Sequence, residues 1–101
     1  MSIVVIAHLR PIDGRLNEVL ASMREAAPAI QAEDGCELYA PHVDGTGAIV
    51  LIEKWASVEA LDAHGAGEPV AAQRAGLAGL LQGPAEVARL SPVGEGFRGR
   101  I

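Results

Sequence analysis

Residues able to carry out proton chemistry cluster at one strand-to-helix corner, Ala48–His64. Glu53 places a carboxyl group inside an apolar run, and the only tryptophan, Trp55, follows on the same face of the predicted strand. Ser57 is a candidate N-cap for a helix that ends at His64. The corner therefore offers a possible base in Glu53, an indole N–H donor in Trp55 and a second titratable group in His64.

Each of these residues also has a structural explanation, and the sequence leaves both explanations open. Trp55 would be the largest core residue of a chain in which aromatics make up 3% of the residues. Glu53 could anchor a backbone turn or an arginine, and general experience with buried carboxylates favours that structural role. His64 would be stabilised near a helix C-terminus by the helix dipole alone.

Other candidate residues come from the neighbouring elements. His8 ends the first predicted strand and is a candidate catalytic residue because its strand face is otherwise apolar. Tyr39 could orient a substrate oxygen or simply pack on its strand, and Arg74 could neutralise a substrate anion or lie on a solvated helix face. Leu51, on the strand of the corner, and Leu61, on the inner side of the following helix, are candidates for an apolar substrate-binding wall.

Composition limits the classes of function. With 101 residues the chain is predicted to form one domain, and a net charge of −5 argues against a nucleic-acid partner. No apolar run reaches the roughly 18–20 residues that span a bilayer, and the N-terminus shows no secretory signal pattern. A single cysteine, Cys36, is consistent with a reducing cytoplasm. The three histidines have neither helical i, i+4 nor His-x-His spacing, so no bound metal is expected.

Hydrophobic periodicity predicts the element order β-α-β-β-α-β. The predicted strands are Ser2–Leu9, Cys36–Val43, Ala48–Trp55 and Ala85–Leu90. A helix is predicted from Arg15, capped by Asp13 and kinked or broken at Pro28, and two helical segments follow Ser57 and Pro69, with Val58, Leu80 and Leu81 on their inner faces. The last residues should be extended. This order predicts a ferredoxin-like α+β fold, an antiparallel sheet with helices on one face.

The first and third strands are apolar on both faces, which predicts that a second copy of the chain covers one of them. Both alternations of Ile3–Ala7 and of Ile49–Ile52 are apolar, whereas a sheet with one wet face should alternate apolar and polar residues. Because the helices can cover only one face, the other face should be covered by a twofold-related copy. We therefore expect an obligate homodimer.

Two segments together resemble the antibiotic biosynthesis monooxygenase family. The first segment, Glu33–Tyr39, has the sequence EDGCELY, and the second, Glu53–His64, has the sequence EKWASVEALDAH. The opening IVVIAHLRPIDGR resembles the first strand of that family and its turn into helix one. The resemblance covers residues 2 to about 93, so we expect a domain over 1–93 and a C-terminal tail over 94–101. It implies a dimeric α/β barrel.

The resemblance also implies a reaction. Oxygenases of this family act without metal or flavin, so no cofactor is expected, and a small aromatic substrate and dioxygen would be the reaction partners. The match adds weight to Trp55 as a pocket residue and to His64 as a catalytic one. Haem-degrading members use an asparagine in the first strand and a histidine on the later helix, where this chain has Ala7-His8 and Gln73-Arg74, which argues against haem. A non-catalytic dimer that binds a small ligand remains the alternative.

Overall fold

The strands and helices expected from the sequence are present in the computed structural model, which describes residues 2–101. In chain order the elements are β1 (Ile3–Leu9), α1 (Leu16–Gln31), β2 (Cys36–Val43), β3 (Ile49–Trp55), α2 (Val58–Gly65), α3 (Glu68–Leu77), β4 (Glu86–Leu90) and α4 (Gly96–Gly99). The β-α-β-β-α-β order is confirmed, with the second helical region divided into α2 and α3.

The sheet has the strand order β2-β3-β1-β4, and all neighbouring strands are antiparallel. Glu53 on β3 lies opposite Val5 on β1 and Tyr39 on β2. Since residues paired across strands share a face, the odd-numbered residues of β1 and β3 lie together on the helix-covered face. The fold is therefore α+β and ferredoxin-like, as predicted.

Helix α1 covers the sheet with a buried stripe of residues three and four apart, as its periodicity predicts. The stripe consists of Val19, Met23, Ala27 and Ile30. The predicted cap is wrong, because the N-cap is Arg15, without a side-chain cap, rather than Asp13. Pro28 does not break the helix. It lies in the last turn, where the chain continues helically only to Gln31.

A close contact fixes the corner where β3 enters α2. Gly35 has φ +79°, and a Cβ there would lie 2.5 Å from the Cβ of Ala60, so only glycine fits between α1 and α2. The Ala56 N–H donates to the Gly35 carbonyl at 2.8 Å. Ser57 accepts a hydrogen bond from the Ala60 N–H at 3.1 Å, which confirms it as the N-cap of α2.

The second half of the chain departs from the sequence prediction in three places. Val58 was expected on the inner side of α2 but is 42% exposed, and Leu61 and His64 form the buried face instead. Helix α3 ends at Leu77, before Leu80 and Leu81, because Gly79 turns the chain at φ +77°. The tail was expected to be extended but contains the short helix α4.

The face of the sheet opposite the helices carries apolar side chains that the chain itself covers incompletely. We call this surface the back face. It consists of the even-numbered residues of β1, β3 and β4 and of β2 from Leu38 onward, and its half-buried apolar members include Ile6, Leu38, Val50 and Ile52. Leu90 on β4 is 43% exposed. Within residues 2–101, no helix has the length and hydropathy needed to cross a membrane.

Candidate active site

A cavity of about 610 Å³ lies between the helix-covered face of the sheet and helices α2 and α3. Its walls are mainly apolar side chains of the sheet and of the two helices, among them Val5, Ala7, Leu51, Leu61, Val70 and Leu77. The volume falls within the range of small-molecule sites, and apolar walls with a few polar groups are typical of them. The predicted substrate-binding residues Leu51 and Leu61 thus both line this cavity.

Glu53 is the buried carboxyl group in the cavity wall. Its position at the middle of β3 leaves it 5% exposed, and its Oε1 accepts a hydrogen bond from the Trp55 indole N–H at 3.0 Å. Burial raises the pKa of Glu53, while the hydrogen bond from Trp55 and the nearby His64 partly offset that increase. The group is therefore a stronger base than an exposed glutamate.

His64 connects Glu53 to a second carboxylate. Its Nδ1 lies 2.9 Å from Oε1 of Glu33, and its Nε2 lies 4.0 Å from Oε1 of Glu53. The Trp55 ring packs on the imidazole with centroids 4.4 Å apart, and the Tyr39 ring lies 5.9 Å away. A Glu33 carboxylate can only accept, so Nδ1 carries the proton in this contact when His64 is neutral, and Nε2 is left as the acceptor facing Glu53.

The sequence left two roles open for Trp55, a pocket residue whose N–H donates to a ligand and the largest residue of the core. In the structure the indole is 0% exposed, its N–H donates to Glu53, and its ring packs on His64. Since both polar and apolar parts of the indole are engaged by protein groups, Trp55 positions the carboxyl and imidazole groups.

Tyr39 lines the cavity together with a residue that the sequence analysis did not select. The Tyr39 hydroxyl donates to Oε1 of Gln73 on α3 at 2.7 Å, and burial raises the pKa of the phenol, which keeps it protonated. Gln73 was recognisable as a polar residue between Val70 and Leu77 in the buried stripe of α3. No sequence pattern pointed to Glu33, because the residue it contacts, His64, lies 31 positions later in the chain.

The structure brings Arg74 to the cavity but not His8. Arg74 is exposed and lines the rim, where Arg89 pairs with Asp62 at 2.9 Å. His8 lies on the back face, opposite Val50 in the register of β1 and β3. Its even-numbered position directs it away from the helices, so His8 is not part of this site.

The side chains that could bind a metal ion are not grouped together in residues 2–101. Among the residues that the structure describes, 2–101, no three or more histidine, cysteine, aspartate or glutamate side chains are grouped so that they could hold an ion. Polar groups in the cavity wall and the residues behind them instead contact one another in two sets. One set is Glu33, His64, Glu53 and Trp55, and the other is Tyr39 and Gln73.

The raised pKa of Glu53 leads to a prediction about stability. The folded protein binds a proton at this carboxyl more tightly than the unfolded chain does. The stability that this provides is fully present below the unfolded pKa and is lost as the pH rises through the higher folded pKa. Glu53→Gln removes the titration, so its melting temperature relative to wild type should increase as the pH rises through this interval.

Thermal unfolding followed by circular dichroism at a series of pH values measures this difference. Glu25→Gln is the matched control, since Glu25 is exposed on α1 and its replacement should give no such trend. A stability difference for Glu53→Gln that decreases with rising pH would show that burial does not dominate the environment of Glu53.

Comparisons with known proteins agree with this architecture. The sequence profile of the family described as antibiotic biosynthesis monooxygenase matches residues 2–75. The Escherichia coli protein named "Probable quinol monooxygenase YgiN" is 34% identical over 74 residues, which cover 61% of this chain and 71% of that protein.

Solved structures extend the similarity over nearly the whole chain. Rv0793 from Mycobacterium tuberculosis is 30% identical with a TM-score of 0.85, covering 94% of this chain and 98% of that one. A crystal structure described as an antibiotic biosynthesis monooxygenase is 26% identical with a TM-score of 0.82, covering 91% and 99%. Together with the family profile, these similarities show that the chain belongs to the antibiotic biosynthesis monooxygenase family.

Proposed function

We propose that the chain is a monooxygenase that oxidises a small quinol or phenol with dioxygen, without a metal or flavin. The observation that carries the proposal is the buried Glu53 carboxyl in the wall of an apolar cavity, with His64 and Glu33 behind it. Membership of the family supports monooxygenase chemistry. The name of the Escherichia coli relative supports a quinol as the class of substrate.

The reaction begins with proton transfer from the substrate hydroxyl to Glu53. A carboxylate with a raised pKa is better matched to a phenol than an exposed one. The electron-rich anion that forms gives one electron to dioxygen, and the resulting radical pair joins to make a C–O bond. Loss of water from the hydroperoxide then breaks the O–O bond. One oxygen atom remains in the product, the other leaves as water, and the substrate supplies all four electrons, so no external reductant is needed.

The surrounding residues serve proton movement and charge stabilisation. His64 Nε2 can take the proton from Glu53, and Glu33 stabilises the imidazolium that results. The Glu33 side chain is 17% exposed, compared with 9% for His64, so the pathway leads toward solvent. Arg74 at the rim places a positive charge where it favours the substrate anion. The apolar walls limit the access of water to the radical pair.

Glu33 gives a prediction that separates positioning from binding. Glu33 does not line the cavity, so Glu33→Gln should leave KM nearly unchanged. It should lower kcat about tenfold or more, because an amide can hold the wrong imidazole tautomer and does not stabilise the imidazolium. Steady-state oxygen uptake measures both constants. Glu33→Asp should recover part of kcat, and a variant in which KM alone changes would contradict the positioning role.

We also propose that the protein acts as a homodimer joined through the back face. Helices cover the other side of the sheet, and Ile6, Val50 and Ile52 remain partly accessible in a single chain. Burying such a surface against a second copy stabilises the assembly by about 25 cal/mol for each Å² of apolar area. The twofold arrangement places the same residues on both sides of the interface.

Oxygen uptake is the experiment that tests the proposed function. The purified protein is incubated with a panel of hydroquinones, naphthols and hydroxylated polycyclic compounds, and dioxygen consumption is followed with an electrode. Uptake that depends on the protein and is stoichiometric with product supports a monooxygenase. Compounds that bind without any dioxygen consumption would indicate a ligand-binding dimer instead.

A further inference from the structure

One polar atom of a residue that lines the cavity is buried without a partner among residues 2–101. Gln73 is 6% exposed and lines the cavity, yet among residues 2–101 its Nε2 makes no hydrogen bond. A buried, unpaired donor costs about 1–3 kcal/mol. The rest of the buried face of α3 is apolar, formed by Val70 and Leu77, so a leucine or methionine at position 73 would avoid this cost.

The hydrogen bond from Tyr39 accounts for the oxygen of the Gln73 amide but not for its NH₂ group. The Tyr39 hydroxyl donates to Oε1 at 2.7 Å. The reverse orientation of the amide would leave both the Tyr39 hydroxyl proton and the Gln73 oxygen unpaired, so the observed orientation satisfies more groups. The hydrogen bond from Tyr39 thus holds the amide oxygen, and the NH₂ group is left without an acceptor among residues 2–101.

The surroundings define what kind of acceptor could complete this pair. The arginines that line the cavity, Arg74 and Arg89, are exposed at its rim, whereas Gln73 and Glu53 are buried. A neutral acceptor such as a carbonyl oxygen can pair with the buried amide without adding a second buried negative charge to the site of Glu53. Tyr39 lies opposite Glu53 on the sheet, while its hydroxyl reaches Gln73 on α3. The carboxyl group therefore belongs to the sheet side of the cavity and the amide to the side formed by α3.

We propose that Gln73 is a specificity-determining residue whose amide nitrogen donates a hydrogen bond to a carbonyl oxygen of an aromatic hydroxyketone bound in the cavity. The hydroxyl of such a ligand lies toward Glu53, and its carbonyl lies at a separate ring position toward α3. This inference rests on the proposed function for the identity of the binding site, but it requires binding only and not turnover.

The test compares two ligands that differ only in the carbonyl. Hydroxytetralone has a phenol and a ketone, and the corresponding tetrahydronaphthol lacks the ketone. Binding is followed by emission of Trp55, the only tryptophan, which packs on the cavity residue His64. Wild type should bind the ketone roughly tenfold more tightly, equivalent to about 1.4 kcal/mol.

Two variants distinguish donation to the ligand from a purely structural role. Tyr39→Phe keeps the amide nitrogen and should keep the preference for the ketone. The double variant Tyr39→Phe/Gln73→Met removes both hydrogen-bonding groups without leaving either unpaired, and it should bind the two ligands equally. Retention of the wild-type preference in the double variant would overturn the inference, and thermal unfolding checks that both variants are folded.

The outcomes also separate this inference from the proposed function. Equal binding of the two ligands by wild type would overturn the role of Gln73 and leave the proposed oxygenase intact. Failure of wild type to bind either ligand would overturn the inference together with the assignment of the cavity. Preference for the ketone without oxygen uptake would support the role of Gln73 and contradict the oxygenase.

Discussion

Glu53→Gln is expected to lower kcat for oxygen consumption by about two to four orders of magnitude, the usual contribution of a positioned general base. The amide cannot accept the substrate proton, but its oxygen can still accept the hydrogen bond that Trp55 donates to Glu53 at 3.0 Å. The geometry around His64 should therefore be preserved, and the loss should appear in kcat. Steady-state oxygen uptake with a quinol substrate measures it.

The control for this prediction is Glu25→Gln, which removes an exposed carboxylate from α1 and should retain wild-type kcat. Substrate binding by Glu53→Gln, followed by Trp55 emission, should remain, because the apolar walls of the cavity are unchanged. If Glu53→Gln were as active as wild type, Glu53 would not be the base. In that case His64 would be the remaining titratable candidate in the cavity wall.

Ile52→Asp is expected to dissociate the homodimer. Ile52 lies at the middle of β3 on the back face, opposite Ile6 on β1 and Ala40 on β2. An unpaired charge buried in an interface costs roughly 3–5 kcal/mol, and twofold symmetry introduces it twice. The dissociation constant should therefore increase by at least about a hundredfold. Analytical ultracentrifugation over a range of concentrations measures it.

Val58→Asp is the matched control, since it places the same charge on an exposed residue of α2, away from the back face. An aspartate in the first turn of a helix is favourable, so this variant should remain folded and dimeric. A wild-type protein that is monomeric at micromolar concentration would contradict the proposed dimer. An unchanged dissociation constant for Ile52→Asp would show that copies associate through another surface.

The elements and their order could be predicted because they depend on local patterns. The bounds of β2, the N-cap Ser57 and the buried stripe of α1 follow from strand alternation, capping chemistry and helical periodicity. Errors occur where tertiary structure decides. Val58 has the correct spacing for the buried face of α2 yet is 42% exposed. Gly79 ends the helical region earlier than the leucine pattern suggested.

The candidate site could be predicted in part, for the same reason. Glu53 was selected as a carboxyl group in an apolar run, Tyr39 as a phenol on a strand, and His64 from its place at the helix end and the family resemblance, and all three line the cavity. Glu33 was missed because its contact with His64 joins positions 31 residues apart, which no local pattern reveals. Gln73 was missed although it interrupts an apolar helical stripe, because its partner Tyr39 lies 34 residues away.

His8 was a candidate because its strand face is apolar, but β1 is apolar on both faces, so the sequence did not identify which face the helices cover. Alternation still separates the two faces of the strand. Pairing with β3 then assigns His8 to the back face, opposite Val50. A histidine at the end of a doubly apolar strand is therefore weak evidence for a catalytic role.

Isotopically labelled dioxygen gives the most direct measurement of the proposed reaction. A quinol that is turned over under labelled dioxygen in ordinary water should give a product in which mass spectrometry detects one labelled oxygen atom, while the second label appears in water. Glu53→Gln should form this product much more slowly. An oxidised product without the label, or no oxidation of any substrate that binds in the cavity, would contradict the assignment of monooxygenase activity to this site.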